Sequence, residues 1–165
     1  MKDLDKKTSY LIENCKKFNL KIGTAESCTG GLISSTITSI SGSSQIFEMG
    51  IVTYSNSSKI EFLNLKPEII SEYGAVSSEV CSSMSKNLLE INPNIQLSIA
   101  VSGIAGPKSD DTNKEVGLVF IAISHKGKTI CKEYRFGNIG RDIIREKTVL
   151  ESLNLINSLI DQLYK

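Results

Sequence analysis

The chain has 165 residues, of which 40% are hydrophobic and 22% are charged, a composition typical of a globular protein. A formal net charge of +1 gives no electrostatic argument for a nucleic acid or a membrane surface as a partner. No apolar run approaches the length of a membrane span, and the charged N-terminus lacks the apolar core of a signal peptide. We therefore expect one domain over residues 1–165, located in the cytoplasm.

The first half of the chain predicts a helix followed by a strand–helix–strand unit. Apolar residues recur at helical spacing from Leu4 to Phe18, which indicates an amphipathic helix. The run 20–23 predicts a strand, the pattern after Gly31 predicts a helix, and 51–54 predicts a second strand. Two strands joined in this way are normally parallel.

The second half continues the alternation of helices and strands, with one hairpin. It is predicted to contain, in order, a helix at 67–73 between Pro67 and Gly74, a helix capped by Ser77, a strand at 97–101, a polar loop at 108–115, a hairpin of strands 116–123 and 129–136, and a final helix near 139–163. This order predicts an α/β fold, a three-layer α/β/α sandwich with a mixed, mostly parallel sheet.

The cysteines and the single histidine do not form a sequence pattern typical of a metal site. The four cysteines contain no C-x-x-C pair, which favours free buried thiols. The single histidine, His125, falls in the predicted hairpin, where we expect it to be exposed to solvent. A Ser-His-Asp arrangement is therefore not expected.

Three polar loops follow the first three predicted strands, at 24–31, 54–59 and 102–107. Ligands of open α/β sheets bind outside the carboxyl ends of the strands, where these loops would converge. Neither their glycine pattern nor the spacing of Tyr54 and Lys59 matches the dinucleotide or phosphate-loop fingerprints. Hydride transfer and ATP hydrolysis are therefore not supported.

The first loop opens a helix, whose unpaired N–H groups can stabilise an oxyanion. Ser27, Cys28 and Thr29 all compete there as the nucleophile. Lys59 is the candidate base, because burial can lower the pKa of a lysine toward neutrality. Tyr54 would relay a proton or fix the lysine.

Four sequence segments together carry a family resemblance. They are TAESCTGG at 24–31, GIVTYSN at 50–56, GAVS at 74–77 and SGIAGP at 102–107. In these segments and in their order along the chain, the sequence resembles the nicotinamide mononucleotide deamidase family. The same family forms the C-terminal domain of competence/damage-inducible protein A. The chain resembles the stand-alone form of that domain. It departs from the family pattern in the loop 108–115, which lacks the usual glycine-rich turn.

The resemblance implies a metal-independent amidohydrolase that converts nicotinamide mononucleotide to nicotinate mononucleotide and ammonia in pyridine-nucleotide recycling. It implies Ser27 as the nucleophile, Lys59 as its base and Tyr54 as their partner. The family fold is the α/β/α sandwich, usually in a homo-oligomer, and no cofactor is expected.

Further residues are candidates for substrate binding, each with a structural alternative. Glu26 would orient Lys59 or the substrate, or else complement the helix N-terminus. The others are Cys28, as an oxyanion donor or as a small buried thiol; Thr29, Gly30 and Gly31, as N–H donors or as a turn; Ser102, Gly103 and Ala105, as pocket lining or as a tight turn; and Arg141 and Arg145, as phosphate ligands or as a solvated face with Asp142 and Glu146.

Two alternatives to the serine amidase stay open at this point. One is a non-catalytic nucleotide-binding or interaction module of the same fold. The other is a thiol enzyme that uses Cys28, although a small buried thiol is the more common role for such a residue.

Overall fold

Five strands form one mixed sheet with helices on both faces. The computed structural model describes residues 2–109 and 113–165. The helices are α1 (Lys2–Lys17), α2 (Leu32–Thr38), α3 (Asn56–Leu63), α4 (Pro67–Tyr73), α5 (Ser78–Ile91) and α6 (Arg141–Tyr164); the strands are β1 (Ile22–Glu26), β2 (Phe47–Val52), β3 (Leu97–Gly103), β4 (Leu118–His125) and β5 (Lys128–Arg135); a 3₁₀ turn covers Ser43–Gln45. The three-layer α/β architecture that the alternation predicts is confirmed.

The strand order is β2-β1-β3-β4-β5. The strand β1 pairs in parallel with both β2 and β3, whereas β3–β4 and β4–β5 are antiparallel. The parallel part of the sheet therefore consists of β2, β1 and β3, with β1 in the middle. The carboxyl ends of β1, β2 and β3 share one edge, and the loops after them lie together there.

Two apolar cores lie on opposite faces of the sheet because successive side chains of a strand alternate in direction. On β3 and β4, Ile99, Val101 and Ile121 pack with α1, α2 and α6. The neighbouring residues Ala100 on β3 and Phe120 on β4 point to the other face of the sheet and pack with α3, α4 and α5. Both central strands are buried on both faces, which holds their loops on a rigid support.

The strand β1 extends three residues further than its apolar run predicts. From Gly23 to Glu26 it pairs residue by residue with both neighbours, and Glu26 lies opposite Val52 and Val101. Hydrogen bonding on both edges continues the strand through the polar residues of the first motif. Ser27 is consequently the first residue after the strand.

The predicted loop 54–59 is wrong, because α3 begins at Asn56. The side chain of Ser55 accepts a hydrogen bond from the Ser58 N–H group and caps the helix. Ser55 is a favourable N-cap residue, but the serines around it resemble a loop in composition. Lys59 therefore projects from a helix, which restricts the directions its side chain can take.

The predicted exposure of His125 is also wrong. The residue is 6% exposed, with Nδ1 2.8 Å from the Gln96 carbonyl oxygen and Nε2 3.0 Å from the Tyr164 hydroxyl. It ends β4, whose eight residues are all buried, and the end of α6 covers it. His125 is a buried residue paired with Leu97 at the start of β3, at the edge of the sheet opposite the three loops.

Other features agree with the sequence pattern. Pro67 begins α4, Gly74 ends it, and Ser77 caps α5 by accepting a hydrogen bond from the Val80 N–H group. Within the described ranges, no helix is long and apolar enough to cross a membrane. In the predicted loop 108–115, residues 110–112 lie outside the described part of the chain.

Candidate active site

Ser27 and Lys59 meet at the carboxyl edge of the parallel strands. The Ser27 N–H group donates to the Val101 carbonyl of β3, which fixes the residue where β1 ends. Lys59 reaches it from α3, and its Nζ lies 3.0 Å from Ser27 Oγ. That distance permits a proton to pass directly between hydroxyl and amine.

The amine of Lys59 is enclosed and has two further partners. Nζ lies 2.7 Å from the carbonyl oxygen of Thr53 and 3.3 Å from that of Tyr54. A neutral amine has two N–H groups and one lone pair. The two carbonyls can accept the N–H groups, which leaves the lone pair directed at the Ser27 hydroxyl.

Burial favours the neutral form of this lysine. Lys59 is 1% exposed, and the loss of solvation lowers its pKa from 10.5 to about 8. No acidic side chain is among the groups that perturb it. A base with this pKa holds a usable fraction of lone pair near neutral pH, which an ordinary surface lysine does not.

Tyr54 contributes to the site in two separate ways. Its carbonyl oxygen is one of the two that hold Lys59. Its ring is 60% exposed, and its hydroxyl accepts a hydrogen bond from Arg141 Nη2 at 3.0 Å. The contact with the Ser27–Lys59 pair is therefore made by the backbone and not by the phenol.

A cavity of about 170 Å³ opens beside the Ser27–Lys59 pair. Ten residues line it: Ser27, Cys28, Tyr54, Lys59, Ala75, Val76, Ser102, Gly103, Ala105 and Arg141. The sequence predicts all of them as site residues except Ala75 and Val76. The GAVS segment at 74–77 was a signal that could have found these two.

The backbone N–H groups that follow Ser27 differ in their acceptors. The N–H of Gly30 donates to the Ser27 carbonyl, and that of Gly31 donates to Glu26. Within the described residues, the N–H groups of Cys28 and Thr29 have no backbone or side-chain carbonyl acceptor of this kind. They lie at the turn between β1 and α2.

Glu26 lies on the other side of this turn, fully buried under the N-terminus of α2. Its carboxylate accepts hydrogen bonds from the side chains of Thr29 and Ser34 and from the N–H groups of Gly31, Ile33 and Ser34, at 2.6–3.0 Å. The carboxylate complements the helix N-terminus and does not line the cavity. Thr29, Gly30 and Gly31 likewise shape the turn rather than the cavity wall.

The two predicted arginines lie in different places. Arg141 lines the cavity, where it donates to the Gly106 carbonyl at 2.8 Å as well as to Tyr54. Arg145 donates to the Thr29 carbonyl at 2.8 Å, and its guanidinium is 4.0 Å from Asp142. Arg145 thus supports the turn that carries Ser27, and Arg141 is the one of the two arginines that lines the cavity.

Cys28 lines the cavity, but it is a poor nucleophile. Burial raises the pKa of its thiol to about 12, so the thiolate is scarce at neutral pH. Ser27, by contrast, has a base within hydrogen-bond distance. The geometry favours the serine over the thiol.

Comparison with known proteins shows the family to which this chain belongs. Residues 4–160 match the family described as the CinA C-terminal domain. The chain belongs to this family. A CinA-like protein of Prochlorococcus marinus strain AS9601 is 45% identical over 153 residues, covering 90% of this chain and 36% of the relative. The chain spans about a third of the length of the curated relatives it matches.

Solved structures of CinA-superfamily proteins share the whole fold. The competence/damage inducible protein CihA from Agrobacterium tumefaciens has a TM-score of 0.91 and 37% identity, with 95% of each chain covered. The competence damage-inducible protein A (ComA) from Klebsiella pneumoniae has a TM-score of 0.93 and 25% identity, with 98% of this chain and 99% of that chain covered. These names describe competence or damage induction and state no chemical reaction.

Proposed function

We propose that this chain is an amidohydrolase that converts nicotinamide mononucleotide to nicotinate mononucleotide and ammonia. The observation that carries the proposal is the 3.0 Å separation of Ser27 Oγ from the buried amine of Lys59. A hydroxyl paired with an amine of lowered pKa is a nucleophile with its own base. The family resemblance supports the choice of the carboxamide substrate.

The reaction proceeds through an acyl-enzyme. Neutral Lys59 takes the proton of Ser27 as Oγ attacks the carboxamide carbon, and the N–H groups of Cys28 and Thr29 stabilise the resulting oxyanion. The tetrahedral intermediate collapses, the lysine proton passes to the leaving nitrogen, and ammonia departs. Water then attacks the ester with Lys59 again as the base, which releases the carboxylate and restores the Ser27 hydroxyl.

The substrate itself assists this chemistry. The pyridinium ring of a nicotinamide nucleotide carries a positive charge that withdraws electrons from the carboxamide carbon. A serine activated only by an amine then suffices for attack. The mechanism derived for these residues needs no group beyond Ser27, Lys59, backbone donors and water.

The dimensions of the cavity suit the reacting end of the substrate. Its volume of about 170 Å³ is below the roughly 300–1,000 Å³ of pockets that enclose a whole drug-sized ligand. In the proposed complex the carboxamide ring occupies this cavity, and the ribose phosphate lies outside it on the side of Tyr54 and Arg141. Arg141 is then placed to bind phosphate oxygens with its planar fork.

The experiment is an assay of both products. Purified protein is incubated with nicotinamide mononucleotide, and ammonia and nicotinate mononucleotide are measured together. The proposal predicts that they form in equal amounts, and that free nicotinamide, which lacks the pyridinium charge and the phosphate, is a much poorer substrate. If the protein folds but releases no ammonia from the mononucleotide, the proposed reaction is wrong.

A further inference from the structure

The segment that connects α4 to α5 forms one wall of the cavity. Residues 74–77 lie outside any helix or strand, and Ala75 and Val76 line the cavity. A segment of this kind has no ladder of backbone hydrogen bonds to hold it in place. Its position depends on other donors.

Side-chain hydroxyl groups hold the middle of this wall. The Gly74 carbonyl accepts a hydrogen bond of 2.8 Å from the Ser77 hydroxyl. The Ala75 carbonyl accepts one of 2.7 Å from Ser102, which itself lines the cavity. Each of these carbonyls is therefore tied to a neighbouring side chain, one within the segment and one on β3.

A single cation holds both ends of the wall. Lys114 Nζ donates to the Tyr73 carbonyl at 2.9 Å and to the Val76 carbonyl at 2.6 Å. The Tyr73 carbonyl is at the C-terminus of α4, where a carbonyl lacks an intrahelical partner and a positive charge is favoured. Four consecutive carbonyls, from 73 to 76, are thus each bonded to a side chain.

The backbone near Lys114 is anchored to a second wall of the cavity. Gly117 N–H donates to the Ile104 carbonyl at 2.8 Å, and Ile104 N–H donates to the Leu118 carbonyl at 2.9 Å. Val116 packs so closely against Gly106 that a Cβ added there would lie 2.8 Å from its methyl carbon. The segment around Lys114 therefore stays beside the turn that presents Ala105 to the cavity.

We infer that Lys114 is a positioning residue that sets the width of the catalytic cavity by tying the 74–76 wall to the Ile104–Gly106 turn. It does not touch the reacting atoms. Its hydrogen bonds fix Ala75 and Val76 where they pack against the ring of the substrate, so it acts on substrate binding. This role rests on the proposed function.

Loss of the two hydrogen bonds should weaken substrate binding without altering the base. In Lys114→Met the side chain keeps its length but donates nothing. We expect KM for nicotinamide mononucleotide to rise about tenfold, the equivalent of roughly one hydrogen bond to a charged group. kcat and the midpoint of its pH dependence should stay near the wild-type values, because the contacts of Lys59 are unchanged.

Two further variants separate this role from a general structural one. Lys114→Arg keeps a cationic donor that can bond to both carbonyls, so KM should return most of the way to wild type. Lys66→Met removes an exposed lysine at the opposite end of α4 and should leave KM unchanged. An unchanged KM in Lys114→Met, or a Lys114→Arg variant as defective as Lys114→Met, overturns the inference.

Hydrogen exchange tests the same contacts without any reaction. We expect the amides of 74–77 to exchange faster in Lys114→Met than in wild type, while those of β1 and β3 keep their rates. If wild type releases no ammonia, the proposed function fails and the exchange result still stands. If wild type is active but both KM and exchange are unaffected in Lys114→Met, only the role of Lys114 fails.

Discussion

The pH dependence of the reaction follows from the burial of Lys59. Burial lowers the pKa of its amine from 10.5 to about 8, and the reaction requires the neutral form. With a pKa of 8, the neutral fraction is about 3% at pH 6.5 and about 76% at pH 8.5, so kcat/KM should rise about 25-fold over that interval and level off above it. If the base were a lysine exposed to solvent, the rise in kcat/KM would occur more than two pH units higher.

The assay is initial-rate ammonia release across this pH range, with the mononucleotide and with its dephosphorylated nucleoside. A phosphate monoester loses its second proton near pH 6, below the expected limb, and the nucleoside has no such group. The same limb with both substrates therefore assigns it to the enzyme. Lys66→Met serves as the control for removal of a lysine from the surface.

Substitutions of Lys59 complete the test. Lys59→Met should lose nearly all activity at every pH. Lys59→Arg should not restore it, because a guanidinium stays protonated throughout the range. An active Lys59→Arg variant with the wild-type pH profile, or a wild-type profile that is flat from pH 6.5 to 8.5, would refute Lys59 as the base.

Four other predictions follow from the same contacts. Cys28→Ala should leave kcat/KM largely intact, whereas a thiol enzyme would lose all ammonia release. Arg141→Ala should raise KM for the mononucleotide, and the resulting loss of about 1.5–3 kcal/mol in kcat/KM should be smaller for the nucleoside. Arg145→Ala should affect both substrates equally, because Arg145 donates to the Thr29 carbonyl. Glu26→Gln should lower the free energy of unfolding in urea by about 2 kcal/mol or more, because its carboxylate accepts the N–H groups that begin α2; an unchanged midpoint would contradict this. Folding lowers the pKa of Lys59, so the unfolded chain binds more protons than the folded chain between pH 8 and 10.5. The free energy of unfolding of wild type should therefore increase by about 2 kcal/mol relative to that of Lys59→Met between pH 7 and pH 9.5. A difference between the two proteins that stays constant with pH would argue against a buried lysine with a lowered pKa.

Much of the fold can be predicted from periodicity and end signals. The helix α1, the parallel pair β1–β2 and the short helix α4 all have local patterns that the tertiary structure reinforces. The helix α3 does not, because its first turn is rich in serine and its amphipathic pattern is weak. His125 was misplaced for a different reason: its burial comes from α6, which is distant in sequence.

The candidate site divides in the same way. The convergence of the segments after parallel strands was predictable, and it brings together Ser27, at the end of β1, and Lys59, in the helix that follows β2. The direction of each side chain was not predictable. The Tyr54 hydroxyl pairs with Arg141, 87 positions away, and Lys114 reaches the Tyr73 carbonyl across 41 positions. Such contacts depend on the packing of whole elements, which a local sequence pattern does not describe.

The central claim is that Ser27 is the nucleophile of an amidase, and one comparison tests it most directly. Ammonia release from nicotinamide mononucleotide is measured for wild type and for Ser27→Ala at pH 8.5, where the Lys59 amine is mostly neutral. Circular dichroism confirms that both proteins are folded. The account predicts rapid release by wild type and release near background by Ser27→Ala. Equal rates from the two proteins would contradict it.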